Sequence, residues 1–198
     1  MTKDDFIIVE NDRIRINWDF VLNIDEFQLL SKTWQNPKWH FEHDVLTHTK
    51  YVTNLSLEMF GNFNDRTCKI FLISALFHDV GKGVCTRFNV DKMSWSSPNH
   101  EIESDIILRK LLSEDEDLEI ISFFVRNHMK PLKIFETYDS KEEIINEVCK
   151  IQEETDNELR TIDNLIKFKR CDCLGAIMQA EDGWREKLEM LKEISLKL

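Results

Sequence analysis

Apolar residues recur at helical spacing along most of this chain, and they predict a series of amphipathic helices. Between residues 45 and 60 the pattern is helical, and Gly61 is placed to end that segment. From Thr67 to Phe77 the chain is apolar almost all round, which predicts a helix through the middle of a core. Further helices are predicted over residues 100–112, 118–128, 141–151, 159–177 and 184–198, and Pro131 is expected to close the second of these.

The N-terminal residues follow a strand-like pattern instead. Apolar and polar residues alternate on both sides of Asn11-Asp12, which predicts a short hairpin between Phe6 and Trp18. Asp25 is expected to cap a short helix that ends before Pro37. Residues 84–99 contain turn formers and are predicted to form a loop. These patterns favour a mainly helical chain, with a short β-hairpin at its N-terminus.

Composition agrees with one helical domain. The chain has 198 residues and a mass of 23.6 kDa, enough for one well-buried core. Apolar residues make up 42% and charged residues 32%, and there are only five glycines and three prolines. These proportions favour neither disorder nor a turn-rich β fold. The sequence does not indicate an oligomeric state.

Charge and cysteine usage limit the expected partners and location. The net charge of -11 disfavours general binding to DNA, RNA or an anionic membrane, because such binding depends on a basic surface. No apolar run approaches the roughly 20 residues that span a bilayer, and the first residues do not lead into a signal-peptide core. Five cysteines without regular spacing indicate reduced thiols. We therefore expect a cytoplasmic protein.

The candidate chemistry lies at the end of the predicted core helix. His78 and Asp79 follow that helix directly, and burial of a carboxylate without a partner costs free energy, so packing alone does not explain Asp79. Imidazoles and carboxylates are ligands for borderline and hard divalent ions. Other candidate ligands lie beside or within predicted helices, namely His48, His100, His128 and Asp172. This set could hold two divalent ions, and such a pair can activate water against a phosphate ester. The residues indicate a phosphohydrolase.

The spacing around this pair suggests how it could work. Successive side chains on a helix diverge by about 100 degrees, so His78 and Asp79 can face one point only where the helix ends. Gly81 is expected to free the backbone there, and the two oxygens of Asp79 could bridge two ions. Lys82 would lie over the same pocket as a point charge for a phosphate oxygen.

Each of these residues also has an ordinary structural interpretation. A lone histidine in a helical protein is usually a hydrogen-bonded or partly exposed residue rather than a ligand. Lys82 could be a surface lysine, and Asp172 could be an exposed helix residue paired with Arg170. Cys171 and Cys173 could bind zinc, but a C-x-C pair without a second pair is a weak zinc signal. The presence of so many ligand types together favours the metal interpretation.

Taken together, the motifs resemble those of the HD-domain phosphohydrolase superfamily. His48, His78-Asp79 and Asp172 reproduce its order H…HD…D. The segment PKWHFEHDVLTHT at 37–49 is similar to the P-x-x-H-x-E-G-D-V-x-x-H-T stretch of one branch. That branch includes the HD domains of bacterial CCA-adding tRNA nucleotidyltransferases and of polynucleotide-kinase-like ATPases. Similar segments follow at HDVGK (78–82) with Thr86-Arg87, NHE (99–101), VRNHMKP (125–131) and RCDCLG (170–175).

The resemblance implies an all-α domain over residues 31–198, with residues 1–30 as an N-terminal extension packed on it. It also implies a first metal held by His48, His78, Asp79 and Asp172. Asp79 would bridge to a second metal held by His100 and His128, although many members of the superfamily use a single ion. His43 stands where the branch usually has glycine. Nucleotidyltransferase or kinase activity is not expected of this sequence.

The leading hypothesis is hydrolysis of a phosphoester on a nucleotide or an RNA end, such as a 2′,3′-cyclic phosphate. Asp79 and Lys82 are the expected catalytic residues. The metal could be manganese, iron, nickel, cobalt, zinc or magnesium, because the same ligand types serve them all. Residues expected to contact substrate are His40, Glu42, Asp44, Lys82, Thr86 and Arg87. An alternative for the first three is a layer of contacts just outside the metal ligands. Trp34, Trp39 and Trp95 could stack on a base.

Two other classes of function stay open at this point. One is a cyclic-nucleotide or cyclic-dinucleotide phosphodiesterase, although no G-Y-P segment follows the His-Asp pair. The other is a module without turnover, which either binds a nucleotide through its metal site or engages a host protein through its acidic surface.

Overall fold

The computed structural model describes residues 1–11, 13–61, 65–153, 158–177 and 183–197. Its longer helices, numbered with the short ones in chain order, are α3 Val45–Phe60, α4 Asp65–Phe77, α6 His100–Leu111, α7 Leu118–Asn127, α8 Lys130–Thr137, α9 Lys141–Glu153, α10 Ile162–Gly175 and α11 Trp184–Ser195. The short helices are α1 Trp18–Val21, α2 Asp25–Gln28 and α5 Lys82–Cys85, and the 3-10 turns are Lys3–Phe6 and Leu29–Lys32. The strands are β1 Ile7–Glu10, β2 Arg13–Ile16, β3 Arg87–Asn89 and β4 Ser94–Ser96. The predicted all-α class is confirmed.

The N-terminal hairpin is present as predicted. β1 and β2 pair antiparallel, with Ile7 opposite Ile16 and Val9 opposite Ile14. Asn11 adopts a left-handed backbone with φ of 51°, as a tight turn requires, and Asp12 of the predicted turn lies outside the described residues. The hairpin is joined to the bundle by the 3-10 turn before it, where Phe6 packs edge-on against Phe77 with ring centroids 5.3 Å apart.

α4 is the central helix of the core. Its residues from Ile70 to Phe77 are fully or almost fully buried, which confirms the prediction made from its apolar sequence. α3 packs on α4 and on α10, and α7 packs on α4 and on α6. Phe71 of α4 stacks on Phe60 of α3 and also contacts Phe124 of α7. The helices that carry candidate ligands are therefore held around one buried helix.

Residues 84–99 are not a loop throughout, so that prediction was wrong. β3 and β4 form a second antiparallel hairpin in this stretch. Phe88 lies opposite Trp95, with ring centroids 5.1 Å apart in an edge-on arrangement. A cross-strand aromatic pair stabilises a short hairpin, which explains why strands form here without a longer alternating pattern.

Pro131 begins a helix as well as following one. It lies in the first turn of α8, a helix that the sequence did not predict. Proline suits this position because its fixed φ matches the helix and its missing N–H would have no intrahelical partner there. The preceding helix α7 does end before Pro131, at Asn127, as predicted.

Gly81 acts through close packing and not through backbone freedom. Its backbone is right-handed, with φ of -63° and ψ of -21°, so the expected release of the chain at this glycine was wrong. A Cβ at this position would collide with the carbonyl oxygen of His100 and the backbone nitrogen of Ser104 on α6. The absence of a side chain lets the turn after α4 touch the start of α6.

Among the described residues, no helix is long and apolar enough to cross a membrane.

The N-terminus is anchored to the bundle by an ion-pair cluster, in which Lys3 Nζ lies 3.3 Å from Asp115 Oδ1 and 2.9 Å from Asp117 Oδ2. α11, which was predicted over residues 184–198, ends at Ser195, and Leu198 lies outside the described residues.

Candidate metal centre

All of the predicted metal ligands lie together in the bundle. They come from the first turn of α3, the turn after α4, the start of α6, the end of α7 and the last turn of α10. Every one is buried: His48, His78, Asp79, His100, His128 and Asp172. The alternative interpretation of Asp172 as an exposed helix residue does not describe the structure.

The ligand atoms form two groups that share one region. In the group of His48, His78 and Asp172 the ligand atoms all lie within 4.8 Å of one another, and the same holds for Asp79, His100 and His128. His48 Nε2 lies 3.0 Å from Asp172 Oδ1, and His78 Nε2 lies 3.6 Å from the same oxygen. Each group has the size and composition of a divalent metal site.

Asp79 belongs to the second group, but it presents one oxygen to each group. Its Oδ2 is 3.2 Å from His78 Nε2 and 3.6 Å from His48 Nε2. Its Oδ1 is 3.3 Å from His100 Nε2 and 3.7 Å from His128 Nε2. A carboxylate in this position could serve both groups at once.

The outer ring nitrogens set the orientation of the histidines. Nδ1 donates to a backbone carbonyl in three of them, at 2.8 Å from His78 to Ala75, 2.9 Å from His100 to Ser97 and 2.7 Å from His128 to Val125. His48 Nδ1 lies 3.0 Å from Glu42 Oε1, without the alignment of a full hydrogen bond. Every Nε2 therefore points into the site. In metal sites, contacts of the other ring nitrogen with carbonyl or carboxylate oxygens orient histidine ligands in the same way.

Two features of this site fit a cation and are hard to explain without one. His100 Nε2 and His128 Nε2 lie 3.2 Å apart, and both rings already carry a proton on Nδ1. Burial lowers the pKa of His100, and it lowers that of His128 strongly, so both rings are neutral and two lone pairs face each other. His78 Nε2 and Asp79 Oδ1 are also buried without a hydrogen-bond partner.

In the group of His48, His78 and Asp172, the histidines bind protons tightly when no metal is present. Burial disfavours the charged ring of His78, but Asp79 and Asp172 outweigh it and raise its pKa to about 9. Burial likewise opposes protonation of His48, while Asp172 and Glu42 raise its pKa. The pKa values of Asp79 and Asp172 lie well below the usual range despite burial, because His78 and a lysine beside each carboxylate stabilise the charge. A divalent ion would replace these protons.

Comparison with known families agrees with this geometry. The model of the HD domain matches residues 45–174, which is more than half of the chain. The chain belongs to the HD domain family. The family is one of metal-dependent phosphohydrolases, and the matched range contains all six of the predicted ligands. Comparisons with curated proteins and with solved structures find no match.

We call the site formed by the six predicted ligands the HD centre. Each of its two aspartates, Asp79 and Asp172, has a lysine three residues away. Lys82 Nζ donates to Asp79 Oδ2 at 2.7 Å, and Lys169 Nζ donates to Asp172 Oδ2 at 2.6 Å. The nearby carboxylate outweighs burial and raises the pKa of Lys169 above its usual value. Lys169 was not predicted, although its spacing from Asp172 on α10 repeats that of Asp79 and Lys82.

The HD centre opens into a cleft with a volume of about 520 Å³. Asp79, Asp172 and both lysines line its inner end. The outer part is largely apolar, and its walls include Trp39, Met129, Leu132, Ala176 and Trp184. Of the tryptophans considered for base stacking, only Trp39 is among the lining residues, and Trp184 was not predicted.

The predicted substrate contacts divide into two sets. His40 and Lys82 line the cleft. The others are not among the lining residues and have different surroundings. Asp44 caps α3 by accepting from Thr47 N at 2.9 Å. Thr86 Oγ1 lies 2.7 Å from a serine hydroxyl, Arg87 is exposed on β3, and Glu42 is buried beneath His40.

Two further sequence observations are explained by the structure. His43 adopts a left-handed backbone with φ of 72°, a conformation that glycine favours, which accounts for the glycine expected there. Cys171 and Cys173 are free, burial raises the pKa of both thiols to about 12, and neither belongs to a group of potential metal ligands among the described residues.

Proposed function

We propose that this HD domain protein hydrolyses a phosphoester on a nucleotide or an RNA end, such as a 2′,3′-cyclic phosphate, with two divalent ions. The observation that carries the proposal is the convergence of four histidine Nε2 atoms on Asp79, whose two oxygens face separate ligand groups. Asp79, His48, His78 and Asp172 would hold one ion, and Asp79, His100 and His128 the other.

The bound ions would supply Lewis acidity and lower the pKa of water. The remaining contributions come from the chain itself. Lys82 and Lys169 flank the carboxylates at the inner end of the cleft, where their charges can stabilise the oxygens of a phosphate. Gln35 Oε1 accepts from Lys82 Nζ at 2.8 Å and so orients the lysine.

The shape of the cleft supports a nucleotide over a bare phosphate. Its inner end is polar, whereas its outer part carries Trp39, Leu132 and Trp184, which suit an apolar or aromatic group attached to the phosphate. The motifs at 37–49 and 78–87 further lead us to infer a relationship to the HD domains of CCA-adding and polynucleotide-kinase-like proteins. Those relatives suggest RNA ends as substrates.

The test is a substrate screen on the purified protein with added Mn²⁺ or Ni²⁺. It should include mononucleotides, 2′,3′-cyclic nucleotides and cyclic dinucleotides. Asp79→Ala removes the shared ligand, and Asp65→Ala, at an exposed position on α4, serves as the matched control. We expect hydrolysis of a mononucleotide or 2′,3′-cyclic phosphate by the wild type and the control, and none by Asp79→Ala.

Other outcomes favour other functions. Turnover of cyclic dinucleotides alone would identify a different phosphodiesterase. Nucleotide binding with metal but no product over hours would identify a binding module. If Asp79→Ala retained the activity of the wild type, the proposed centre would not be the site of reaction.

A further inference from the structure

Glu42 lies in the loop before α3, one layer outside the HD centre. Only 1% of its side chain is exposed, and it does not line the cleft. A buried carboxylate without a metal or a substrate needs other partners, because desolvation of the charge is costly. The contacts of Glu42 are therefore informative.

Both oxygens of Glu42 are occupied by protein groups. Oε1 lies 2.7 Å from His40 Nδ1 and 3.0 Å from His48 Nδ1, and Oε2 accepts from Ile177 N at 3.0 Å. The neighbouring Phe41 N donates back to Ile177 O at 3.0 Å. The carboxylate thus ties the loop to the chain that leaves α10 while it holds two imidazoles.

The two imidazoles face different places. His48 turns Nε2 towards Asp79 and Asp172, inside the metal centre. His40 lines the cleft, and its Nε2 has no hydrogen-bond partner among the described residues. The rings are edge-on with centroids 4.8 Å apart, so a single carboxylate can set the orientation of both.

We propose that Glu42 is a positioning residue that fixes His48 towards the metal centre and His40 towards the substrate. With Nδ1 held by the carboxylate, His40 offers the lone pair of Nε2 to the cleft. A substrate with a hydroxyl close to its phosphate, as on the ribose of a nucleotide, would donate to this nitrogen. The inference rests on the proposed function for the metal and the substrate, but the contacts of Glu42 can be tested without either.

The first measurement is Mn²⁺ affinity by calorimetry, comparing the wild type with Glu42→Gln. Glutamine keeps the size of the side chain but removes the charge, and loss of such an outer contact typically weakens metal binding about 10- to 100-fold. Glu58→Gln, at an exposed position on α3, is the matched control and should bind Mn²⁺ as the wild type does. Circular dichroism establishes that each variant is folded.

The second variant separates the two roles. His40→Gln should leave Mn²⁺ affinity within about 2-fold of the wild type, because His48 keeps its contact with Glu42. It should raise KM for a 2′-mononucleotide, whose free 3′-hydroxyl lies beside the phosphate, by about 2- to 10-fold, the effect of one lost hydrogen bond. Glu42→Gln should thus weaken Mn²⁺ binding, whereas His40→Gln should raise KM alone. If Glu42 only stabilised the fold, the two variants would not separate Mn²⁺ affinity from KM in this way.

The third measurement needs no metal. In nitrogen-15 NMR of the metal-free protein, neutral His40 should be in the Nδ1–H tautomer, and Glu42→Gln should lose that preference. Unchanged Mn²⁺ affinity together with an unchanged His40 tautomer in Glu42→Gln would overturn the inference. If the wild type bound no Mn²⁺, the proposed function would fail, and the His40 tautomer alone would decide the role of Glu42.

Discussion

At the scale of single residues, each ligating carboxylate is paired with a buried lysine, and this pairing stabilises the protein when no metal is bound. Lys169→Met would remove the lysine that pairs with Oδ2 of the buried Asp172 carboxylate. Removal of one partner of a buried ion pair typically costs about 3–5 kcal/mol. We expect a loss of this size in the free energy of unfolding of metal-free protein, measured with urea.

Mn²⁺ should reduce this loss, because a bound ion supplies positive charge beside Asp172. Lys167→Met is the matched control on the same helix, since Lys167 is a partly exposed partner of Asp163 and such pairs contribute about 0–1 kcal/mol. Equal stability of the two variants in metal-free protein would contradict the role given to Lys169.

Protons and metal compete for His78, so Mn²⁺ affinity should depend on pH. The ring has a pKa of about 9 in the metal-free protein and must be neutral to bind an ion. At pH 7 binding therefore releases a proton, and affinity should rise about tenfold per pH unit from 7 until it levels off near 9. The raised pKa of His48 makes the slope steeper. Calorimetry in buffers of different ionisation enthalpy measures the released protons, and an affinity independent of pH would contradict this assignment.

The ligands themselves could be predicted from the sequence because they occupy recognisable motifs. Lys169 and the position of Glu42 could not, because their importance depends on which helices meet in space. Lys169 matters only beside Asp172, and Glu42 reaches His48 and Ile177 through the path of a loop. Periodicity predicts which face of a helix is buried, but it does not predict contacts between distant segments.

At the scale of elements, the contact between the turn after α4 and the start of α6 brings His100 to Asp79. Gly81→Ala would place a methyl group against the backbone of His100 and Ser104, neither of which is a flexible side chain. We expect destabilisation of about 1–3 kcal/mol, as for other overpacked sites, together with weaker Mn²⁺ binding as α6 shifts.

Gly83→Ala is the control for that variant. Its Cβ would lie 3.2 Å from the side chain of Leu29, which can adjust, so the change in unfolding free energy should be clearly smaller. Thermal and urea unfolding of both variants provide the comparison. A tolerated Gly81→Ala would show that the close approach of α6 is not required.

The helices that periodicity predicted are the long amphipathic ones and the apolar α4. The elements that it missed are short and depend on local chemistry. α8 starts at a proline that the sequence pattern treats as a stop, and β3 with β4 is stabilised by one aromatic pair. Short elements bury too few residues to produce a periodic signal.

At the scale of the whole molecule, the candidate ligands come from segments between residues 48 and 172 that meet only in the folded chain. Metal binding should therefore stabilise the whole domain. At 100 times the dissociation constant, each bound Mn²⁺ adds about 2.7 kcal/mol to the free energy of unfolding. Urea unfolding with and without Mn²⁺ should show one cooperative transition shifted as a unit, whereas stabilisation of only part of the transition would contradict the arrangement.

The charge of the molecule makes its metal content important for substrate binding. The protein carries a net charge of -11, and the described residues that line the cleft include four lysines and four carboxylates. The lysines of the lining are thus balanced by its carboxylates and alone give no excess of positive charge to attract a phosphate. Bound divalent ions would provide it, because they are the largest local charges in such a site.

The number of Mn²⁺ ions bound at equilibrium tests the central claim most directly. Equilibrium dialysis of the wild type followed by elemental analysis should give two ions per chain. His128→Ala removes a ligand of one group only, and it should bind one ion. Absence of bound Mn²⁺ in the wild type, or an equal number of ions in the wild type and His128→Ala, would contradict the account.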